Sequence, residues 1–342
     1  MYYQHAEIVH WMKNKEIINI LPAQVDMDLT NICNQDCFYC NSFDHRKARP
    51  NQKKYTEYMD ALDKLATWRA YMPNSFGTTH TITYSGGGEP TLLPGYERII
   101  ERTIDLGFLT SIITNGSHLN DLIDNVSPEK IKKISWIGID IDAGTKDKYE
   151  EIRHSLTKES LFDRVIDNAT SLVRIGATVD FKALVNELNC DPQSFTDLFI
   201  ISKKVGVRLL YLRPVLTNGV AYDFSSMIPL INELSLSYQV PVKLSLTKHL
   251  PRNYNRCHQM YQFPVFCADG EIYTCCDNKG NPRFSLGRWD TGDFRDLWLS
   301  KRHDDIYNST NTKLCPHCRP NIQNIGIQNI LDDPSQLEQL FT

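Results

Sequence analysis

The run Gln24-Val-Asp-Met-Asp-Leu-Thr-Asn-Ile-Cys33-Asn-Gln-Asp-Cys37-Phe-Tyr-Cys40 decides how this chain is read. Its first part, Gln24–Thr30, reads as a short β-strand, and the CxxxCxxC triplet follows directly. Three thiolates so closely spaced can converge on one metal centre, but a closed tetrahedral site wants four ligands. No fourth cysteine stands nearby, and His45 is the nearest histidine that could complete a zinc knuckle. The other reading is an iron–sulfur cube held by three cysteines, which keeps one iron open for a substrate or cofactor.

Working outward, β-rich runs alternate with amphipathic helices. The strands are Gln24–Thr30, Thr81–Ser85, Leu109–Thr114, Ile134–Ile141, Thr178–Val185 and Arg208–Val215. Tyr96, Ile99, Ile100, Thr103 and Ile104 form one apolar helical stripe between them. Phe162, Val165, Ile166, Ala169, Leu172 and Val173 form another, with Gly176 as its C-terminal stop. Six β/α units predict an α/β fold with a parallel sheet, and six rather than eight implies an open, partial (β/α)6 barrel of TIM type. Ligands of such sheets sit at the C-terminal strand ends. The last third reads differently. Phe263–Cys276 predicts a hairpin turning at Asp269-Gly270, Asp293–Asn308 predicts a helix, and Cys315-Pro-His-Cys318 a tight knuckle.

The 342 residues carry a net charge of −4, so neither sign dominates and no nucleic-acid or membrane-surface footprint is expected. No apolar run approaches the ~18 residues of a membrane span. Lys13 and Lys15 before Ile17–Ala23 mimic a signal peptide, but the apolar part is short and broken by Asn19. A cytoplasmic location is therefore expected, where ten cysteines point to metal or catalysis rather than disulfides.

The triplet after a first strand resembles the signature of the radical S-adenosylmethionine (SAM) superfamily, over roughly residues 24–215. The resemblance implies that Cys33, Cys37 and Cys40 hold a 4Fe-4S cluster whose open iron chelates SAM. One-electron reduction, from a donor such as flavodoxin or ferredoxin, would then cleave SAM to a 5′-deoxyadenosyl radical. Tyr84-Ser-Gly-Gly-Gly-Glu-Pro90 resembles the family's GGE motif for the methionine amine and implies that Gly86, Gly87, Gly88 and Glu89 bind SAM; Tyr39, inside the triplet, is a further cofactor-binding candidate. Alone, that segment could equally be a strand-to-helix turn. Thr114-Asn115-Gly116 resembles the family's TNG turn and adds Asn115. Under a period of two, Asp140 and Asp142 face one side of the fourth strand, where they could accept from ribose hydroxyls, or Asp142 could cap the next turn. Tyr149-Glu-Glu-Ile-Arg153 resembles the segment whose Arg pairs with SAM's carboxylate. Lys182, Tyr211 and Arg213 are polar insertions in the fifth and sixth strands, and Arg213 is the preferred substrate contact.

Cys257, Gly270 and Cys275, followed by Cys315-x-x-Cys318, resemble the start of a SPASM domain in its shorter twitch form, lacking the intermediate CxxCxxxxxC. This implies a second, auxiliary 4Fe-4S cluster on Cys257, Cys275, Cys315 and Cys318; an all-thiolate zinc site is the competing reading. Cys276 is ambiguous with Cys275. Cys267 and Cys190 are spare thiols, or hydrogen-atom donors as in radical-SAM epimerases. The chain thus divides into an extension (1–23), a radical-SAM core (24–240) and an auxiliary-cluster domain (241–342).

The expected activity is hydrogen abstraction from a small polar or sugar-like molecule, then oxidation assisted by the auxiliary cluster, as in the architecturally similar aminocyclitol dehydrogenases. A peptide-modifying epimerase or cross-linking maturase is the alternative, against which about 23 residues before the first strand leave little room for a leader-binding domain. A zinc-binding module without activity is the remote one.

Overall fold

The computed structural model describes residues 21–70, 80–217, 220–245, 251–315, 318 and 320–333. Most of the N-terminal extension, and Pro316 and His317 of the knuckle, lie outside these residues.

Parallel strands β1 (Gln24–Asp28), β2 (Thr81–Ser85), β3 (Leu109–Thr114), β4 (Trp136–Asp140), β5 (Val179–Val185) and β6 (Leu209–Pro214) follow in chain order and pair each with the next. Their registers keep the C-terminal ends on one rim: Asp28 is opposite Ser85, Thr114 opposite Ile139, and Asp140 opposite Lys182. The helical stripes read from the sequence are the faces that pack on the sheet. Helix Tyr96–Asp105 buries Tyr96, Ile99, Ile100 and Thr103, and helix Phe162–Ile175 buries Phe162, Val165, Ile166, Ala169 and Leu172 before ending at Gly176. Each fully buried Ile, Val or Leu contributes about 1.5–3 kcal/mol over its exposed state, so these stripes hold the crossovers down. The sheet is α/β, parallel-dominated and open, as six units predict.

Three differences stand out. A seventh parallel strand, β7 (Val242–Leu244), extends the sheet beyond β6; three residues with exposed Lys243 at the centre give almost no pattern to read. At the other edge, β8 (Val265–Phe266) lies parallel to β1, with Asp26 opposite Val265 and Met27 opposite Phe266. Antiparallel β9 (Glu271–Tyr273) and β10 (Ser285–Arg288) continue from it, so that this sheet has ten strands among the described residues. The β8–β9 hairpin turns at Asp269-Gly270, with Gly270 at φ 89°, which a residue without Cβ adopts at no steric cost. The expected helix Asp293–Asn308 is two helices, Phe294–Leu297 and Lys301–Ser309. Asp293 and Ser300 each cap an N-terminus, accepting from Arg295 N and His303 N, and Leu299 between them turns at φ 58°. A second cap inside the segment starts a second helix rather than prolonging the first.

The C-terminal part is also tied to the first strand by charge. Lys279 Nζ lies 2.5 Å from Asp28 Oδ2 and 3.2 Å from the Gly86 carbonyl, and the Asp28 side chain is fully buried. Arg49, just after the cysteine triplet, donates to Asp269 at 2.6 Å and to Tyr273 Oη at 2.9 Å. Removing one partner of a buried pair leaves an uncompensated charge. Lys279→Met is therefore expected to cost about 3–5 kcal/mol in urea-induced unfolding; a loss under about 1 kcal/mol would place that contact at the level of a surface ion pair.

Candidate active site

The segments after β1 and β2 build one wall together. Gly88 N donates to Thr30 O and Glu89 N to Ile32 O, both at 2.8 Å, so the glycine loop lies on the backbone that leads into the triplet. A Cβ on Gly88 would stand 2.0 Å from the Ile32 carbonyl oxygen, and one on Gly87 2.0 Å from Asn31 Oδ1. Gly88 is thus required by the backbone approach itself, whereas at Gly87 the crowding atom belongs to the Asn31 side chain.

Glu89 is buried and carries most of this wall. Its Oε1 accepts from Thr91 N, Thr91 Oγ1 and Thr114 Oγ1 at 3.0, 2.6 and 2.5 Å, while Oε2 accepts only from Asn115 N, at 2.7 Å. Oε1 is saturated by the fold, and Oε2 keeps a lone pair that could take a ligand cation. Burial raises the carboxyl's pKa, opposed by these hydrogen bonds. Asn115 is fixed in turn, donating to Asn34 Oδ1 at 2.8 Å.

The opposite side of the triplet is held by Arg153. Its Nε donates to Gln35 Oε1 at 3.0 Å and one Nη to Asp142 Oδ2 at 2.5 Å. Asp142 also accepts from Tyr39 Oη and, at 2.6 Å, from Leu184 N. The period of two ends at Asp140: the chain leaves the strand, and Asp142 sits fully buried at φ 58° with both oxygens taken by protein. Asp140 instead lines the cavity, 3.2 Å from Lys182 Nζ. Tyr39 is half-buried, and desolvation raises its phenol's pKa well above the ordinary value.

These walls enclose a cavity of about 270 Å³ on the rim. Cys33, Cys37, Cys40, Tyr39, the three glycines, Glu89, Asn115, Asp140, Arg153, Lys182 and Arg213 all line it, whereas Asp142 does not. Two lining residues that the sequence reading passed over are Arg46 and Ser85. Arg46 lacked any signal, being one more cation in a basic stretch. The triplet fits a cluster: burial pushes the Cys33 thiol up to about 12 and raises Cys37, so both are protonated until a metal charge favours the thiolate, and the buried Arg46 Nε lacks a partner.

Cys257, Cys275, Cys315 and Cys318 lie in one region of the C-terminal part. Asn324 Nδ2 lies 3.7 Å from Cys257 Sγ and 3.8 Å from Cys318 Sγ, and Tyr254 Oη donates to Cys318 Sγ at 3.6 Å. Cys257 is within electrostatic reach of Cys275, Cys315 and Cys318, and burial raises all four thiols. Among the described residues, no three His, Cys, Asp or Glu side chains converge tightly enough to grip a single ion. Cys267 is fully buried with its thiol 3.7 Å from Asp28 Oδ2, and Cys190 interacts with Tyr222; neither lines the cavity.

Residues 27–198 match the radical SAM superfamily, half of the chain and all of the cavity-lining residues named above except Arg213. The chain belongs to the radical SAM superfamily. It is an enzyme, and membership implies a 4Fe-4S cluster and SAM. A probable GTP 3′,8-cyclase of Saccharolobus islandicus is 26% identical over 273 residues, covering 74% of this chain and 82% of that protein. The tungsten-containing aldehyde ferredoxin oxidoreductase cofactor-modifying protein of Pyrococcus furiosus is 23% identical and covers 85% of each. Among solved structures, Streptococcus suis SuiB bound to its precursor peptide SuiA aligns with TM-score 0.64 at 15% identity, over 89% of this chain and 69% of that one. At that identity the likeness is one of fold, and it extends past the radical SAM core into the C-terminal part. Among the described residues no helix is long and apolar enough to cross a membrane.

Gly88→Ala tests the wall. The added methyl has only backbone to push against, so a loss of about 1–3 kcal/mol is expected in denaturant unfolding of the metal-free protein. Unchanged stability would mean that the loop has room to move off residues 30–32.

Proposed function

We propose that this radical SAM enzyme carries an auxiliary 4Fe-4S cluster on Cys257, Cys275, Cys315 and Cys318 and oxidises a small polar or sugar-like substrate. The observation that carries the reading is the gathering of those four cysteines, from segments up to sixty residues apart, in a part of the chain joined to the radical SAM rim through β8 and Lys279. Cubane ligands each bind a different iron, so they need to be neighbours without meeting at one ion-sized point. When bound, the two clusters supply reductive cleavage of SAM, held at Cys33, Cys37 and Cys40, and an acceptor for the electron left on the substrate once its hydrogen atom is gone.

The protein's own part is orientation. Glu89 Oε2 holds the ammonium of SAM, the glycine backbone accommodates its methionine portion, and Asp140 accepts from ribose. Arg153 takes the carboxylate with whatever N–H its bonds to Asp142 and Gln35 leave, and Tyr39 packs beside it. Asp142 acts at one remove, by fixing Arg153 and Tyr39. Arg213, cationic on the rim beside Tyr211, meets the substrate. An external one-electron donor of the flavodoxin or ferredoxin kind supplies the electron. A second reading, peptide modification, has the support of the fold shared with SuiB, whose structure holds the peptide SuiA; nucleotide substrates have that of the cyclase.

Anaerobic reconstitution is expected to load about eight irons per chain, and about four when Cys33, Cys37 and Cys40 are all replaced by Ala. Cys275→Ala should lose auxiliary iron while Cys276→Ala and Cys267→Ala keep it; a colourless protein that binds only zinc overturns the reading. Reaction in D2O separates the chemistries. Oxidation leaves no deuterium on the attacked carbon, whereas solvent deuterium there, abolished by Cys267→Ala, would identify a thiol donor and an epimerase.

SAM affinity provides a further check. The ammonium prefers ionised Glu89, so affinity should fall as pH drops through that carboxyl's raised pKa, at a higher pH than an ordinary glutamate would give. Glu89→Gln should bind about 10- to 100-fold more weakly, the worth of a charged hydrogen bond, with that pH dependence flattened. Calorimetry showing equal affinity in both proteins would remove Glu89 from the SAM site.

A further inference from the structure

We propose that Arg46 sets the reduction potential of the cluster at Cys33, Cys37 and Cys40, a proposal that rests on those cysteines holding it. Helix Phe43–Ala48 starts three residues after Cys40, and its one buried side chain is a charged one, Arg46. Surface helices ordinarily bury their apolar residues, and an arginine is almost never fully buried unless something inside requires it. Part of that requirement is visible. Arg46 Nη2 donates to Asp36 Oδ1 at 2.6 Å and to the Gln35 carbonyl at 3.2 Å, both in the loop between Cys33 and Cys37. The Phe43 ring lies 5.2 Å from the guanidinium carbon on the outer side.

These contacts leave one face unexplained. Arg46 Nε is buried and has no hydrogen-bond partner, while the residue lines the same cavity as the three cysteines. The Cys40 sulfur interacts with this guanidinium, and the Cys33 sulfur lies within reach of its charge. A buried donor without a partner costs free energy unless a ligand supplies the acceptor, and cluster or cysteinyl sulfur is an acceptor of the right charge.

The electrostatic consequence has a definite sign. One-electron reduction adds a negative charge to the cluster, and a fixed cation nearby, strengthened by low dielectric, stabilises that state. Net charge and hydrogen bonds to sulfur are among the terms that set iron–sulfur potentials. Arg46 therefore raises the potential, and Asp36, whose carboxylate offsets its charge, lowers it. A residue that only braced the loop would not move the potential in opposite directions when each partner is removed.

The test is an EPR-monitored redox titration of the anaerobically reconstituted full-length protein without SAM, following the cluster whose signal later responds to SAM. Iron is counted for every variant. Arg46→Met is expected to shift the midpoint to more negative potential, Arg46→Lys to fall between it and the parent, and Asp36→Asn to shift it to more positive potential. Arg46→Met with full iron and an unchanged midpoint overturns the proposal, as does an Asp36→Asn midpoint that stays put or moves negative. Should Arg46→Met fail to retain iron, the signs seen for Arg46→Lys and Asp36→Asn decide. Failure of the underlying reading looks different: the parent itself would hold no SAM-responsive cluster.

Discussion

A single buried charge at the end of the first strand organises this molecule. Asp28 is fully buried, and its countercharge is Lys279, some two hundred and fifty residues later in the chain. Because Lys279 Nζ also reaches the Gly86 carbonyl, the ion pair fixes three segments at once: the strand that leads into the cysteine triplet, the glycine loop, and the turn after Cys275 and Cys276. The Asp28 carboxylate further accepts from the Cys267 thiol and Ser85 Oγ, so its lone pairs are well occupied. A buried ion pair seldom adds much net stability over an apolar isostere. What this one does is specify how the C-terminal part seats on the rim.

The rim itself rests on two buried arginines that clasp the loop between Cys33 and Cys37. Arg46 holds it through the Gln35 carbonyl and Asp36, and Arg153 through the Gln35 side chain. Each has its own carboxylate, Asp36 or Asp142. The loop is thus immobilised by groups with fixed donor geometry rather than by apolar packing, and exposed Ile32 and Phe38 beside it make no core contribution. Such a frame keeps three thiols near one another before any metal arrives.

The parts of this arrangement legible in the sequence are those written in local pattern. Strand alternation and helical stripes depend on neighbours within a few residues, so β1 to β6 could be placed to within two residues and the helices Tyr96–Asp105 and Phe162–Ile175 recognised by their apolar faces. The cysteine spacing and the Gly86-Gly87-Gly88-Glu89 run are likewise local, and the cavity gathers them. What could not be read depends on contacts between distant segments. Nothing around Arg46 distinguishes a buried arginine from the exposed Lys47 beside it. Asp142 reads equally as a strand-face residue or a cap of the next turn, because the Arg153, Tyr39 and Leu184 contacts made at its left-handed backbone come from other segments. The division near residue 240 reads as the end of the β/α alternation ahead of the C-terminal cysteines, yet β7 and β8 on either side of the sheet come from beyond that point.

That last feature bears on how such enzymes can be recombined. A chimera that joins this core to another chain's C-terminal region at residue 240 would lose β7, β8 and the lysine that neutralises Asp28. The transplanted region would have to bring a two-residue strand in register with Asp26 and Met27, and a lysine placed to enter beneath the glycine loop. The heritable module is therefore larger than the cluster-binding segment: it is the cysteines together with the β8–β9 hairpin and the turn that carries Lys279.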